Sequence, residues 1–288
     1  MMKKEYAHLA ASAPEPGEAI ERIKEIVSIL RRECPWDKKQ THETLRGCMI
    51  EEAYEVVEAI DNKDRDNLRE ELGDVLLQVV FHSNLSEENG NFDLTDVIND
   101  ECEKMIRRHP HVFLQEISNN HIKSIDKALE KWENIKAEEK KNTTKTQDLK
   151  GVPNALPALI RAAKVQKKAA EVGFDWNDAQ GALDKIREET DELTEAGNRA
   201  EVTEELGDLL FSVVNAARFL KVDPEDALNM ATKKFIRRFA YIEDRSLSCG
   251  RLLKDMSLEE MDELWNEAKK SENGIWSQTI ILGGKIEI

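Results

Sequence analysis

The sequence predicts an all-α protein built as two tandem helical-bundle repeats, and three observations predict it. Glycine and proline number only 13 and 7 in 288 residues, and 8 Phe, 5 Trp and 3 Tyr are few, so the turn-rich, aromatic-rich strands of a sandwich or barrel are missing. Apolar residues recur at helical rather than alternating spacing. Ordered blocks also occur twice: Glu51-Glu52-Ala53-Tyr54-Glu55 returns as Glu188-Glu189-Thr190-Asp191-Glu192, and Glu70-Glu71-Leu72-Gly73-Asp74-Val75-Leu76 as Glu204-Glu205-Leu206-Gly207-Asp208-Leu209-Leu210. Lys104-Met105-Ile106-Arg107-Arg108 pairs with Lys234-Phe235-Ile236-Arg237-Arg238, and Trp132 with Lys136 pairs with Trp265 and Lys269. The offset stays between 130 (Arg107 to Arg237) and 137 (Glu52 to Glu189), the mark of a duplicated unit.

Residues 1–16 have a basic start but run into Pro14 and Pro16 without an apolar core, and read as a flexible, frayed tail rather than a signal peptide. The first repeat, 17–140, reads as helices at about 17–33, 42–61, 65–88, 93–108 and 119–140. Residues 141–152 read as a linker, because 141–147 are polar and aperiodic and Gly151 and Pro153 punctuate the start of the next helix. The second repeat, 153–273, reads as helices at about 155–172, 179–197, 200–220, 224–243 and 257–271. The tail 274–288, with Ile280-Ile281-Leu282 and Gly283-Gly284, has no counterpart in the first repeat and receives no assignment.

Charge excludes several classes. Acidic residues outnumber basic ones 58 to 42, and a net charge of −16 repels a phosphate backbone, so broad nucleic-acid binding is disfavoured. No apolar run approaches the roughly 18 residues a bilayer crossing needs. Cys34, Cys48, Cys102 and Cys249 form no CxxC pair, which fits a reducing cytoplasm better than a disulfide or zinc framework. No GxxxxGK[ST] loop occurs, so a P-loop hydrolase is excluded.

Carboxylates stand where a core is expected. Leu45, Met49, Glu52 and Val56 fall on one helical stripe, and Glu55 projects beside Glu52. Glu71 lies between Leu68 and Val75, Asp74 follows three residues later, and 75–81 is apolar almost all round, which predicts a buried helix. Four acids facing an interior cannot all stay ionised without a cation, since burying a bare carboxylate costs several kcal/mol. An all-carboxylate set suits Mg²⁺, with Mn²⁺ as the alternative ion. The mid-helix Gly73 and Gly207 suggest the close approach of another helix or a ligand. A lone ExxE in so acidic a chain is ordinarily a solvated face, and it is the doubled pattern that favours a metal site. A di-iron bundle needs Glu-to-His pairs that neither repeat supplies.

All six histidines precede residue 122, so a chemistry shared by the repeats cannot need histidine, and His109-Pro110-His111 reads as surface. Lys104 with Arg108, and Lys234 with Arg238, present two cations on one face and either grip phosphates or are surface charge. Trp132 and Trp265, each with Lys136 or Lys269 one turn on, either pack in the core or plate a base. Lys185, one turn before Glu189, either reaches a substrate phosphate or pairs with Glu188 or Glu189. Its first-repeat equivalent is the uncharged Cys48, so the second repeat is expected to carry most of the turnover.

EExxE followed by ExxD, with Cys34-Pro35-Trp36-Asp37, Val172-Gly173-Phe174-Asp175-Trp176 and the Ala-rich 156–170 segment, resembles the two-repeat bacterial MazG nucleoside triphosphate pyrophosphohydrolases of the all-α NTP pyrophosphatase group, over almost the whole chain. The resemblance implies Mg²⁺-dependent conversion of a nucleoside triphosphate, ribo- or deoxyribo-, to monophosphate and pyrophosphate by a homodimer. It implies that Glu189, Glu192, Glu205 and Asp208 are catalytic and hold the metal, with Glu52, Glu55, Glu71 and Asp74 as the first-repeat set. For the nucleotide it implies Lys234, Arg238, Trp265 and Lys269, with Lys185 and Glu188 beside them, and Lys104, Arg108, Trp132 and Lys136 in the first repeat. The competing class is a non-catalytic helical module that senses nucleotides or binds proteins, which would be free to lose several of these acids; all eight positions are filled.

Overall fold

The computed structural model describes residues 3–113, 124, 132, 135, 139 and 144–276, and among them every regular element is helical. The chain divides into two compact units, Met1–Lys140 and Lys141–Ile288.

In the first unit α1 (Pro16–Glu33) starts on a proline, whose missing N–H has no partner to lose at a helix start. α2 (His42–Asn62) is fixed by a reciprocal capping box between Thr41 and Thr44, and ends at Lys63 in a left-handed conformation, φ 55°. The Asp64 carboxylate accepts the Asp66 and Asn67 N–H groups and starts α3 (Arg65–Glu88) one residue later, so α2 and α3 fold back as a hairpin. α4 (Leu94–Arg108) opens on an Asp93–Asp96 capping box, and the short α5 (Pro110–Phe113) follows. α1 packs across α3, and Val27, Leu45, Val80, Phe81, Leu85 and Leu94 form the core.

The second unit begins with α6 (Lys145–Lys150), capped by Thr144, where an unstructured linker was expected. Asp148 accepts from Lys168 at 2.6 Å and Lys145 at 3.1 Å and so pins α6 to α7 (Ala158–Ala170). α8 (Ala179–Glu195) and α9 (Arg199–Phe219), capped by Asp178 and Asn198, form the second hairpin. α10 (Pro224–Ser248) and α11 (Leu258–Trp276) form a third. Buried apolar residues of this unit are small, Val152, Ala182, Val214, Ala216 and Ala268, with Ile242 the largest among the described residues.

Three further expectations are corrected. The 1–16 segment is not frayed where it is described: a 3₁₀ helix, Lys4–Ala10, is held by Tyr6 and Lys3 on Glu33, by Arg22 on the Leu9 carbonyl, and by burial of Leu9. The α3 run 75–81 is buried on one side only, since Leu76 is exposed, as is Leu72 before it. α10 and α11 extend past the expected 243 and 271, and Gly250 at φ 68° supplies the turn that α10 needs before α11. The expected 119–140 helix lies outside the described residues apart from Trp132, Ile135 and Glu139, which are helical, and residues 277–288 lie outside them altogether.

Candidate active site

Glu52 and Glu55 share a face of α2 because three residues is nearly one turn, and the α2–α3 hairpin brings Glu71 opposite them. One carboxylate oxygen of each lies within 4.8 Å of the other two. The α8–α9 hairpin repeats the arrangement with Glu189, Glu192 and Glu205, again within 4.8 Å. Glu52, Glu55 and Glu71 are half-buried; in the second unit Glu189 is 4% exposed, Glu205 half-buried and Glu192 exposed. Asp74 and Asp208, the expected fourth ligands, are not among the oxygens that converge within 4.8 Å; Asp74 is half-buried and the strongest charge acting on Glu52, and Asp208 is exposed.

Burial and crowding hold these acids toward their protonated forms. Burial raises the Glu205 carboxyl above the usual range, reinforced by the charges of Glu192, Glu189, Glu204 and Asp208. Burial likewise raises Glu52, then Asp74, Glu55 and Glu71; Glu71 is raised by burial, then by Glu55 and Asp74. The charges acting most strongly on all three are negative, which is the environment a hard divalent cation relieves.

One cation does touch the second triad. Lys185 Nζ donates to Glu188 Oε1 at 2.8 Å and stands 2.6 Å from Glu189 Oε1, and these partners hold the ammonium well above its ordinary pKa, Glu188 foremost. Of the two readings open for Lys185, the structure adopts pairing. Cys48, its first-repeat equivalent, packs against the core instead.

The basic pairs lie elsewhere. Arg108 donates twice to Glu139 Oε2, at 3.0 and 2.6 Å, and Arg107 to Oε1 at 2.7 Å, which holds the Glu139 carboxyl at about 2. Lys104 pairs with Glu101. The Arg108 guanidinium lies 5.7 Å from the Trp132 ring centre, and Arg238 lies 5.4 Å from that of Trp265, so each repeat stacks an arginine on its tryptophan. Trp265 also packs against Phe235 at 5.2 Å. Lys234 and Lys269 are exposed, and Lys136 lies outside the described residues. None of these cations is among the charges acting most strongly on Glu52, Glu71 or Glu205.

The mid-helix glycines mark no close approach among the described residues: a Cβ on Gly73 or Gly207 meets none of them within 4 Å. The tight approach is at Gly181, where a Cβ would stand 2.9 Å from the Trp176 ring. His109 Nδ1–H donates to the Met105 carbonyl at 2.8 Å, and no histidine joins a carboxylate cluster among the described residues. Sequence reading misses one feature, a cavity of ≈ 470 Å³ in the second unit that Phe174, Trp176 and Phe211 help to line.

Residues 40–113 and 178–242 match the MazG nucleotide pyrophosphohydrolase domain. Those segments contain both triads, both Asp residues and both basic pairs, but neither tryptophan. The nucleoside triphosphate pyrophosphohydrolase/pyrophosphatase MazG of Thermotoga maritima is 47% identical over 257 residues, which cover 88% of this chain and 97% of that protein. The nucleoside triphosphate pyrophosphohydrolase of Escherichia coli is 41% identical over 261 residues, covering 88% of this chain and 98% of that one. The uncharacterized protein YabN of Bacillus subtilis is 51% identical over 243 residues, 83% of this chain but 49% of YabN.

Proposed function

We propose that this chain, which belongs to the MazG nucleotide pyrophosphohydrolase family, hydrolyses nucleoside triphosphates to monophosphate and pyrophosphate with Mg²⁺, or Mn²⁺ in its place, held by the glutamate triads. The observation that carries the metal is the triad itself: three glutamates from one hairpin converge within 4.8 Å, twice, at matching positions. The donor set fits a hard, oxygen-preferring cation, and the crowding that raises Glu52, Glu71 and Glu205 is the penalty such an ion removes.

Glu189, Glu192 and Glu205 are the proposed ligands in the second repeat with Asp208 beside them, and Glu52, Glu55, Glu71 and Asp74 in the first. Once bound, the cation supplies charge neutralisation for the phosphates and a water of lowered pKa. A triad glutamate accepts the proton of the attacking water, since a carboxylate needs only to lie within hydrogen-bond reach of it. Lys185, paired here with Glu188 and Glu189, would meet a phosphate oxygen if a bound cation took over Glu189, with Glu188 setting its position. Lys234, Arg238 and Lys269 are the further phosphate cations and Trp265 the aromatic surface, with Lys104, Arg108, Lys136 and Trp132 as their first-repeat equivalents. Local cations and the metal reverse the sign of an acidic chain only inside the site.

Homodimerisation belongs to the same proposal. Val202, Leu206, Leu210 and Val213 form an exposed stripe on α9, and Ile50, Tyr54 and Val57 another on α2. Contiguous apolar surface of this kind is characteristic of an interface. A reducing, cytoplasmic setting suits the four free cysteines.

The test is turnover of a panel of NTPs and dNTPs by the purified chain, with Mg²⁺ and then with EDTA. The proposal expects activity only with the metal; undiminished turnover in EDTA would overturn the metal reading, and no turnover of any nucleotide would favour a nucleotide-sensing module.

A further inference from the structure

A second cavity of the second unit, ≈ 360 Å³, opens where α7 meets the turn from α9 into α10, and its volume lies inside the range of roughly 300–1,000 Å³ typical of small-molecule sites. Arg218, which lines it, stands 13 residues beyond Glu205 on α9. That is about 20 Å along the helix axis, so the cavity lies at the far end of α9 from the carboxylate triad.

Charge sets this corner apart. In a chain of net charge −16, Lys164, Lys167, Arg218 and Lys221 all line the one cavity, against a single lining acid, Asp223. The Asp223 carboxylate is engaged in starting α10, where Oδ1 accepts the Glu225 and Asp226 N–H groups at 2.9 and 3.1 Å. Lys164 and Lys167, three residues apart, share a face of α7. Neither Lys164 nor Lys221 forms an ion pair with a described residue. Arg218 is held in place: it pairs with Asp175 and donates from Nε and Nη2 to Asn215 Oδ1 at 3.1 and 2.8 Å, while Nη1 donates to no described residue. A guanidinium fixed through two nitrogens, with the third unused, is preorganised for an oxyanion.

The first repeat shows that the fold does not need these charges. The turn after α3 makes the same backbone hydrogen bonds as the turn after α9: Gly90 N–H to Glu87 at 2.9 Å and Asn91 N–H to Ser86 at 3.1 Å, against Lys221 N–H to Arg218 at 3.2 Å and Val222 N–H to Ala217 at 2.9 Å. Arg218 therefore stands in the place of Glu87, and Lys221, at φ 57°, in the place of Gly90, at φ 68°. Cations at a helix C-terminus complement its dipole, yet α3 ends with none. The second repeat carries two cations where the first has an acid and a glycine. A single carboxylate would leave most of the four lining cations uncompensated, whereas linked phosphoryl groups gather several charges in a small volume and offer oxygens on all sides to ammonium groups.

We propose that this cavity is a binding site for two or more linked phosphoryl groups, separate from the metal centre, gripped by Lys164, Lys167, Arg218 and Lys221. It uses no residue of the hydrolase reading and stands without it.

Titration calorimetry of the full chain in EDTA with pyrophosphate and with tripolyphosphate tests this, because without metal the triads repel such anions. Both are expected to bind at millimolar concentration or below. Lys221→Gly, which restores the first repeat's residue at a backbone angle that glycine adopts freely, should weaken them about tenfold, the worth of one hydrogen bond to a charged group, and Lys164→Gln by a similar factor. Lys234→Gln, in the proposed nucleotide site, should leave the affinity unchanged. Melting transitions confirm that each variant is folded, and either lysine variant, if folded, decides the matter. ATP in EDTA distinguishes the source of the phosphoryl groups: affinity equal to that of tripolyphosphate and weakened alike in Lys221→Gly identifies the tail of a nucleotide, weaker affinity a free inorganic anion, and the site stands in either case. No binding of either inorganic anion, unchanged affinity in Lys221→Gly and Lys164→Gln, a loss in Lys234→Gln instead, or tighter binding of an oligoglutamate peptide would overturn the proposal.

Discussion

Replacing Lys185 with methionine separates a salt bridge from a metal site. The ammonium stands 2.6 Å from Glu189 Oε1 and 2.8 Å from Glu188 Oε1, with the Glu189 side chain 5% and the lysine 34% exposed. Removing one partner of a fully buried pair costs about 3–5 kcal/mol, and of an exposed pair about 1 or less. With one member buried and the other a third exposed, a loss of about 1–2 kcal/mol is expected, or about 2–8 °C in melting temperature for a unit of this size. The decisive comparison is with Mg²⁺. If Glu189 is a ligand, the ion takes over the charge compensation that Lys185 provides, so the loss should shrink in saturating Mg²⁺, and the metal-induced rise in melting temperature should be larger in Lys185→Met than in the parent chain. Triphosphate turnover should fall in the same variant. Scanning calorimetry of the full chain with Mg²⁺ and with EDTA reads both quantities; an equal loss in the two conditions would refute the assignment of Glu189 to a metal.

Glu205→Gln should abolish turnover, yet melt no lower than the parent in EDTA, because the amide removes the repulsion that raises this carboxyl; a clearly lower transition would make Glu205 a structural partner. Because Glu52, Glu71 and Glu205 are all raised, the unfolded chain ionises first as pH climbs past about 4.5, so these groups cost the metal-free protein stability from there up through their folded pKa values, and Mg²⁺ should flatten that decline in pH-dependent melts. Asp148 runs the other way: Lys168, then Lys145, hold it at about 2 against an ordinary 3.8, so its contribution is full above 3.8 and lost as pH falls toward 2. Asp148→Asn should therefore cost about 1–2 kcal/mol in denaturant titrations near neutrality and almost nothing near pH 2. Finally, Glu189→Gln/Glu192→Gln should reduce kcat/KM more than Glu52→Gln/Glu55→Gln on the same nucleotide; equal losses would remove the asymmetry between repeats.

Much of this was legible where local spacing settles geometry. The helix expected at 65–88 is α3 to the residue, because Asp64 caps it and the apolar period runs unbroken. The triads were legible because i, i+3 acids must share a helix face and a two- or three-residue turn must return the next helix alongside. Features made by pairs distant in sequence were not. Arg218 and Asp175 are 43 residues apart, and nothing in either segment announces the other. Gln166 reads as an ordinary helix residue until its amide is found bonded to Phe211. The first sixteen residues looked unstructured because their anchors, Glu33, Glu25 and Arg22, all lie on α1. Gly73 and Gly207 carried a helix-packing signal that no neighbour among the described residues answers.

The central claim, that carboxylate-held metal directs cleavage between the α- and β-phosphoryl groups, is tested most directly by phosphorus NMR of a nucleoside triphosphate incubated with the full chain and Mg²⁺. The account expects monophosphate and pyrophosphate to appear in equal amounts, and the reaction to stop on addition of EDTA. Diphosphate and orthophosphate as the main products, or conversion that continues at the same rate in EDTA, would contradict it.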